Sequence, residues 1–247
     1  MWPFKKKYAL VDSKIFQGFT DWHSHILPGV DDGVQTMQEA LDILALYEEL
    51  GVKSVWITPH IMEDVPNTTD RLKERFAELK AAYGGTVDLH LAAEYMLDNL
   101  FCERLAASDL LPLGEKENLL LVETSYYNPP INLFGILEQI KAKGFYPILA
   151  HAERYIYMER EDYRKLKEVG IRLQLNLPSL AEVYGRHTQE KAEWILKKGY
   201  YNFCGTDIHS LEHGHGNIHA AVVGMKLYAI LCESFIKSGR FASRCAE

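Results

Sequence analysis

The chain has 247 residues, 47% of them hydrophobic, and 27 Lys and Arg against 34 Asp and Glu give a formal net charge of -7. That length can bury one large α/β core. The acidic balance excludes a general nucleic-acid surface, which needs clustered basic side chains. Cys102, Cys204, Cys232 and Cys245 show no CxxC spacing, so neither a zinc knuckle nor a disulfide framework is expected, and a reducing cytoplasm suits them. No apolar stretch has the length of a membrane span, so stable membrane insertion is not expected.

In chain order, residues 1–16 carry Lys5, Lys6 and Lys7 and read as a flexible N-terminal extension. The main domain is expected over 17–238, with a flexible tail at 239–247. A short apolar run leads into Asp21-Trp22-His23-Ser24-His25. On an extended backbone His23 and His25 point the same way and can grip one ion. Leu27 to Gly33 is a loop by its Pro and Gly content and carries Asp31 and Asp32. Thr36-Met37-Gln38-Glu39 predicts a capping box that opens a helix ending at Gly51.

From there the plan repeats: helix, glycine stop, short apolar strand, polar residue. Val52 to Thr58 is a strand running into His60. A helix capped by Thr68 or Thr69 is followed by the strand Val87 to Ala93, ending in Glu94. A short helix from Leu97 to Ala106 leads to the strand Asn118 to Val122, ending in Glu123. The helix after Pro129-Pro130 precedes the strand Tyr146 to Ala150, ending in His151. Two more units cover Tyr163 to Asn176 and Thr188 to Thr206, the last ending in Asp207-Ile208-His209. A final helix is expected over Ile218 to Ile236.

Strands apolar on both faces and separated by helices indicate a parallel sheet covered by helices, and about seven units suggest a barrel. Functional groups then sit at the carboxyl ends of the strands, where His23, His25, His60, Glu94, Glu123, His151, Asp207 and His209 all fall. Each alone has an ordinary structural use as a helix cap or a hydrogen-bonded filler. Together they would be costly to bury without cations to compensate the carboxylates. A donor set of N and O without thiolate suits Mn, Fe or Zn. Adjacent ions of that kind bind phosphate oxygens, lower the pKa of a bridging water and neutralise a leaving oxygen, so phosphoester hydrolysis follows.

At this point the motifs Asp21-Trp-His-Ser-His25, Asp31-Asp32-Gly33, Thr58-Pro-His60, Ala93-Glu94, Val122-Glu123, Ala150-His-Ala-Glu-Arg154 and Thr206-Asp-Ile-His209 form an ordered set. It resembles the polymerase-and-histidinol-phosphatase (PHP) superfamily, and within it the bacterial manganese-dependent tyrosine-protein phosphatases of capsule and exopolysaccharide loci. The resemblance implies a distorted seven-stranded (β/α) TIM-like barrel with up to three metal ions, Mn²⁺ first and Fe or Zn as alternatives. It implies one ion on His23, His25, Glu94 and Asp207, a second sharing Glu94 with Glu123 and His151, and a third on Asp32, His60 and His209. Arg154 resembles the family's phosphate-binding arginine; as it is not a ligand, its removal should leave metal content unchanged. Where relatives carry a further Arg after the Asp-x-His motif, this chain has Leu211 to His215, so His213 or His215 is the substitute to consider.

The activity implied is hydrolysis of phosphotyrosine in a protein, with the phosphorylated tyrosine-rich tail of a bacterial tyrosine autokinase as partner. A small-molecule phosphatase acting on histidinol phosphate would use the same residues, and a non-catalytic metal-binding relative is the reading from another class. An amidohydrolase would need a bridging lysine where this chain has Glu123, and the positions six after Cys102, Cys204 and Cys232 are serines rather than the arginine of a thiolate phosphatase. Tyr126 and Tyr127 sit at the same rim, either as an aromatic wall or as loop packing.

Overall fold

In the computed structural model the described residues are 7–9, 15–114, 118–211 and 222–224. The expected helix at 218–236, His213, His215 and the tail lie outside the described residues, three positions of 222–224 apart. Within the stretch read as an N-terminal extension, β1 (Lys7–Ala9) pairs antiparallel with β11 (Val222–Gly224). Ile15 and Phe16 are buried in the core.

The remaining elements alternate as the periodicity predicts. They are β2 (Thr20–Ser24), α1 (Met37–Leu50), β3 (Ser54–Ile57), β4 (His60–Ile61), α2 (Thr69–Ala82), β5 (Asp88–Leu91), β6 (Glu94–Met96) and α3 (Asn99–Ala107). Then come β7 (Leu119–Glu123), α4 (Leu133–Ala142), β8 (Tyr146–Leu149), α5 (Arg160–Glu168), β9 (Arg172–Asn176), α6 (Arg186–Lys197) and β10 (Tyr201–Gly205). Local chemistry explains the boundaries. The Thr36 side chain accepts from the Glu39 amide to open α1, and Gly51 closes it with φ at 78°, a left-handed value that glycine adopts without steric cost. Thr68, not Thr69, caps α2 by accepting from the Arg71 amide.

The fold is mixed α/β, with parallel strands and helices between them. Hydrogen-bonded pairing gives a six-stranded sheet ordered β10-β9-β8-β7-β6-β4 and a three-stranded sheet ordered β2-β3-β5. Among the described residues these are two sheets, not one continuous closed barrel. The interruption has a local cause: β3 pairs with β5 up to Ile57–Leu91, and pairing resumes one sheet further on at His60–Glu94. Between them stands Pro59, which has no amide to donate to a ladder. The sheets also meet at their other ends, through a parallel bridge between Ser24 and Ile208.

Two apolar cores lie on opposite faces of these strands. Leu120, Val122 and Leu149 belong to the larger core under the helices. Leu119, Leu121, Ile148, Ala150, Trp56 and Phe203 form a separate cluster on the other face, where the Trp22 ring stacks on Trp56 at 5.8 Å. Burial of both faces is why the strands read as continuous apolar runs. It also aims the site, because Glu123 shares a face with Leu119 and Leu121 and continues that inner column beyond the apolar plug.

Candidate metal centre

His23 and His25 are brought together by an irregularity in β2. Asp21 pairs with Val55 and Ser24 with Ile57, so β2 spends one more residue than β3 over that interval, a bulge that re-aims side chains. The two Nε2 atoms stand 3.0 Å apart. Glu94 Oε2 lies 3.1 Å from the first and 3.3 Å from the second; Asp207 Oδ1 lies 3.3 and 3.4 Å away. Close approach of the backbone requires two glycines here: a Cβ on Gly205 would stand 2.5 Å from His23 Cβ, and one on Gly33 would stand 2.2 Å from the His25 carbonyl oxygen.

Hydrogen bonding fixes which ring nitrogens carry protons. The His151 amide donates to Gln174 Oε1 at 2.7 Å, so that atom is the carbonyl oxygen, and it accepts from His23 Nδ1 at 3.2 Å. His25 Nδ1 donates to the Asp31 carboxylate at 2.9 Å. His209 Nδ1 donates to the Asp207 carbonyl at 2.8 Å. With their Nδ1 protons committed, these rings turn Nε2 toward the centre. There the Nε2 atoms face one another and carboxylate oxygens, contacts that need a proton or a cation between them. Spacings of 3.0 to 3.4 Å are also those of donors gathered around an ion with bonds of about 2.1 Å.

The rest of the set surrounds this point. His151 Nε2 is 3.0 Å from Glu94 Oε1 and 3.6 Å from Glu123 Oε2. His60 Nδ1 is 3.2 Å from Glu94 and 3.1 Å from Glu123 Oε1. Yet His60 Nδ1, Glu94 Oε1 and Glu123 Oε1 are buried without a hydrogen bond: they approach one another but aim elsewhere. Asp32 Oδ1 stands 3.6 Å from both His60 and His209. Three groups, His25-Asp32-His60-His209, His23-His25-Asp207 and His60-Glu94-Glu123, each have donor atoms close enough to hold an ion. These groups hold eight of the nine expected residues, and His151 joins them through its contact with Glu94. His60 faces Glu94 and Glu123 as well as Asp32, so it lies between two of the implied ion positions.

The electrostatics tell the same story. Burial disfavours charge on His23, yet Glu94 and Asp207 outweigh it and raise its pKa to about 9. Burial likewise opposes ionisation of Glu94 and Asp207, but the surrounding histidines hold both well below the usual carboxylate range. The His209 contact is the largest influence in lowering Asp32 to about 2. Such a cluster calls for positive charge, supplied by protons or by metal ions.

Arg154 sits in a 3-10 turn, Ala152–Arg154, directly after His151. Its Nη1 donates to Asp207 Oδ2 at 2.9 Å, and its guanidinium lies between the rings of Tyr126 and Tyr184, 4.4 and 4.1 Å from their centroids. Arg154 is not among the nine expected ligands, but it braces one of them, Asp207, directly. A cavity of about 430 Å³ opens over the centre, lined by Asp32, His60, Glu94, Tyr126, Arg154, Tyr184 and Asp207 among others. Of the cysteines, Cys204 is buried and Cys102 is exposed, and neither lines this cavity.

A family model for capsular polysaccharide synthesis, CpsB/CapC, matches residues 19–227. The chain belongs to the CpsB/CapC family. The tyrosine-protein phosphatase CpsB of Streptococcus pneumoniae is 26% identical over 211 residues, covering 78% of this chain and 83% of the relative. CpsB of Streptococcus agalactiae is 24% identical over 236 residues, with 88% and 91% covered. A structure solved in work on YwqE from Bacillus subtilis and CpsB from Streptococcus pneumoniae, described as metal-dependent tyrosine phosphatases, aligns at a TM-score of 0.74. It is 20% identical and covers 90% of each chain, a likeness that shows the family fold.

Several supporting residues escaped the reading of the sequence. Asp31 fixes His25, Gln174 fixes His23, and Asn176 donates to Asp207 Oδ2 at 2.9 Å. Buried Asp21 accepts from Tyr47 and from both the amide and the hydroxyl of Thr206, tying β2 to the end of β10. Asp31 was visible as a neighbour of Asp32, but nothing in the sequence distinguished their roles. Gln174 and Asn176 lie in an apolar strand with only their polarity as a signal.

Proposed function

We propose that this family member is a metal-dependent phosphatase that hydrolyses phosphotyrosine in a protein, using Mn²⁺ in preference to Fe or Zn. The observation that carries this is the convergence of inward-turned Nε2 atoms and carboxylate oxygens at the base of a cavity that also holds Arg154. Ligand roles follow the family resemblance: His23, His25, Glu94 and Asp207 for one ion, Glu94, Glu123 and His151 for a second, Asp32, His60 and His209 for a third. Bound ions would supply Lewis acidity and an activated water for attack at phosphorus. Asp31 and Gln174 hold the two histidines in the tautomer that exposes Nε2. Arg154 offers its remaining guanidinium N–H groups to a phosphate while Asp207 and the two tyrosine rings hold its plane.

The two sheets are, in this reading, arcs of one distorted seven-unit barrel in which β3 with β4 and β5 with β6 each count as one interrupted strand. The Ser24–Ile208 bridge supports that closure. The partner is the phosphorylated tail of a bacterial tyrosine autokinase in the control of capsule or exopolysaccharide synthesis, and a cytoplasmic location goes with it. Among the described residues no helix is long and apolar enough to cross a membrane.

The rival substrate is histidinol phosphate. Hydrolysis of phosphotyrosine peptides and of histidinol phosphate by the Mn²⁺-loaded protein separates the two. A higher kcat/KM on phosphotyrosine is expected; a higher value on histidinol phosphate would move the assignment to a small-molecule phosphatase.

A further inference from the structure

Resting on the phosphatase reading, we propose that the apolar rim beside the cavity is the docking surface for the polypeptide on either side of the phosphotyrosine, and that it selects uncharged, apolar flanking side chains. Large apolar side chains standing exposed are few among the described residues, and they are unevenly placed. Tyr127, Ile131, Phe134, Ile156 and Val183 all come in sequence shortly after the carboxyl ends of β7, β8 and β9, the strand ends at which the cavity opens, whereas among the described residues only Tyr146 and Val169 lie elsewhere. Ile131 is 96% exposed, Tyr127 70% and Ile156 50%. Single exposed apolar residues need no account, but a group on one rim marks a binding surface.

Three observations join these residues to the cavity and to a polypeptide. Arg154 stacks on Tyr126 and Tyr184, and the Ile156 amide donates to the Tyr126 carbonyl at 2.9 Å, so the three loops bearing Tyr127, Ile156 and Val183 meet around one side chain. From Thr124 to Leu137 the chain has no Asp, Glu, Lys, Arg or His, although 25% of its residues are charged. Depletion of charge with aromatic enrichment is the composition of an interface centre rather than of a solvated loop. Finally, Tyr126 and Val183 line the cavity itself, so whatever places its phosphate over the centre lays its neighbouring atoms on this rim. A small phosphate ester ends inside the cavity; only a chain extending from it covers Tyr127, Ile131 and Ile156.

The test uses the full chain loaded with Mn²⁺ and compares Ile131→Asp and Ile156→Asp with the parent. The substrates are p-nitrophenyl phosphate and phosphotyrosine peptides with apolar or acidic neighbours. Both side chains face solvent, so neither variant removes core packing. On the apolar peptide kcat/KM should fall about tenfold, through KM, as on losing one interface anchor. Turnover of p-nitrophenyl phosphate should stay within about twofold of the parent. Ile131→Lys should instead improve the acidic peptide, because it supplies the charge the rim lacks. Unchanged peptide kinetics in both Asp variants would overturn the proposal. So would an equal loss on peptide and p-nitrophenyl phosphate, which would place the effect in the cavity. A parent dimer that the variants dissociate without affecting peptide turnover would assign the rim to a second copy of the chain and overturn it too. Failure of the phosphatase reading looks different: the parent would then hydrolyse no phosphate ester.

Discussion

The two ends of the inner face of the strands are built on opposite terms. At one end Trp22, Trp56, Phe203, Leu119, Leu121 and Ile148 pack a dry plug, with Trp22 edge-on to Phe203 at 4.9 Å. At the other end, beyond the plug, His60 Nδ1, Glu94 Oε1, Glu123 Oε1 and His151 Nδ1 are buried without a hydrogen bond. The plug is complete in itself, whereas the centre gathers buried polar atoms that no hydrogen bond within the described residues satisfies. One end holds the fold and the other has its polar groups arranged for something the chain does not contain.

The largest expected effect comes from removing that something. Chelation should abolish phosphatase activity, and Mn²⁺ should restore it; full activity in protein shown by elemental analysis to be metal-free would refute the dependence. The same difference sets a pH dependence. Because His23 titrates at about 9 without ions, it is protonated near neutral pH, and an ion must displace that proton. Metal affinity should therefore rise with pH up to about 9 and fall below it, and binding heat near neutral pH should vary with the ionisation enthalpy of the buffer.

Glu94→Gln comes next. Glu94 oxygens approach His23, His25, His60 and His151 at 3.0 to 3.3 Å, so the variant should lose more than one ion per chain. Activity should fall by more than the 10- to 100-fold that removing a partner of a ligand typically costs. Unchanged metal stoichiometry would rule out a bridging role.

Arg154→Ala should lower kcat/KM by about 10² to 10³, or about 3 to 4 kcal/mol, by analogy with loss of one preorganised donor. Because Arg154 also braces Asp207, metal retention should weaken, and Arg154→Lys should not recover the stacked, forked geometry. Activity within a few-fold of the parent in a fully metallated variant would make Arg154 a bystander. At the plug, Trp56→Ala should cost about 3 to 5 kcal/mol of stability, read as a lower denaturation midpoint, while the folded fraction keeps the parent's metal stoichiometry. Loss of ions there without loss of stability would erase the distinction between the two ends.

Much of this was legible because the relevant signals are local. Thr36 and Gly51 marked α1 through their own capping chemistry, and two-faced apolar strands such as Leu119 to Val122 announced parallel pairing. What was not legible depended on backbone irregularity and on distant partners. His151, by strict alternation, would share the outer face with Leu149; its φ of 30° turns it inward, and Asp207, at 54°, is also in the left-handed region. Neither value is written in residue type, since both are non-glycine. The break at Pro59 that divides the sheets, the Arg154–Asp207 bond and the hold of Gln174 on His23 join positions far apart in the chain. Eight of the nine candidate ligands could be chosen as strand-end residues, and Asp32, in a loop, came from the resemblance alone; how His60 is shared between groups depends on the folded arrangement.

The most direct measurement is anomalous diffraction at the manganese edge from crystals grown with Mn²⁺. The account predicts a peak bounded by His23, His25, Glu94 and Asp207, and a second reached by Glu94, Glu123 and His151. Saturating Mn²⁺ with no anomalous peak, and with the facing His23 and His25 nitrogens satisfied by a proton or a water, would contradict it.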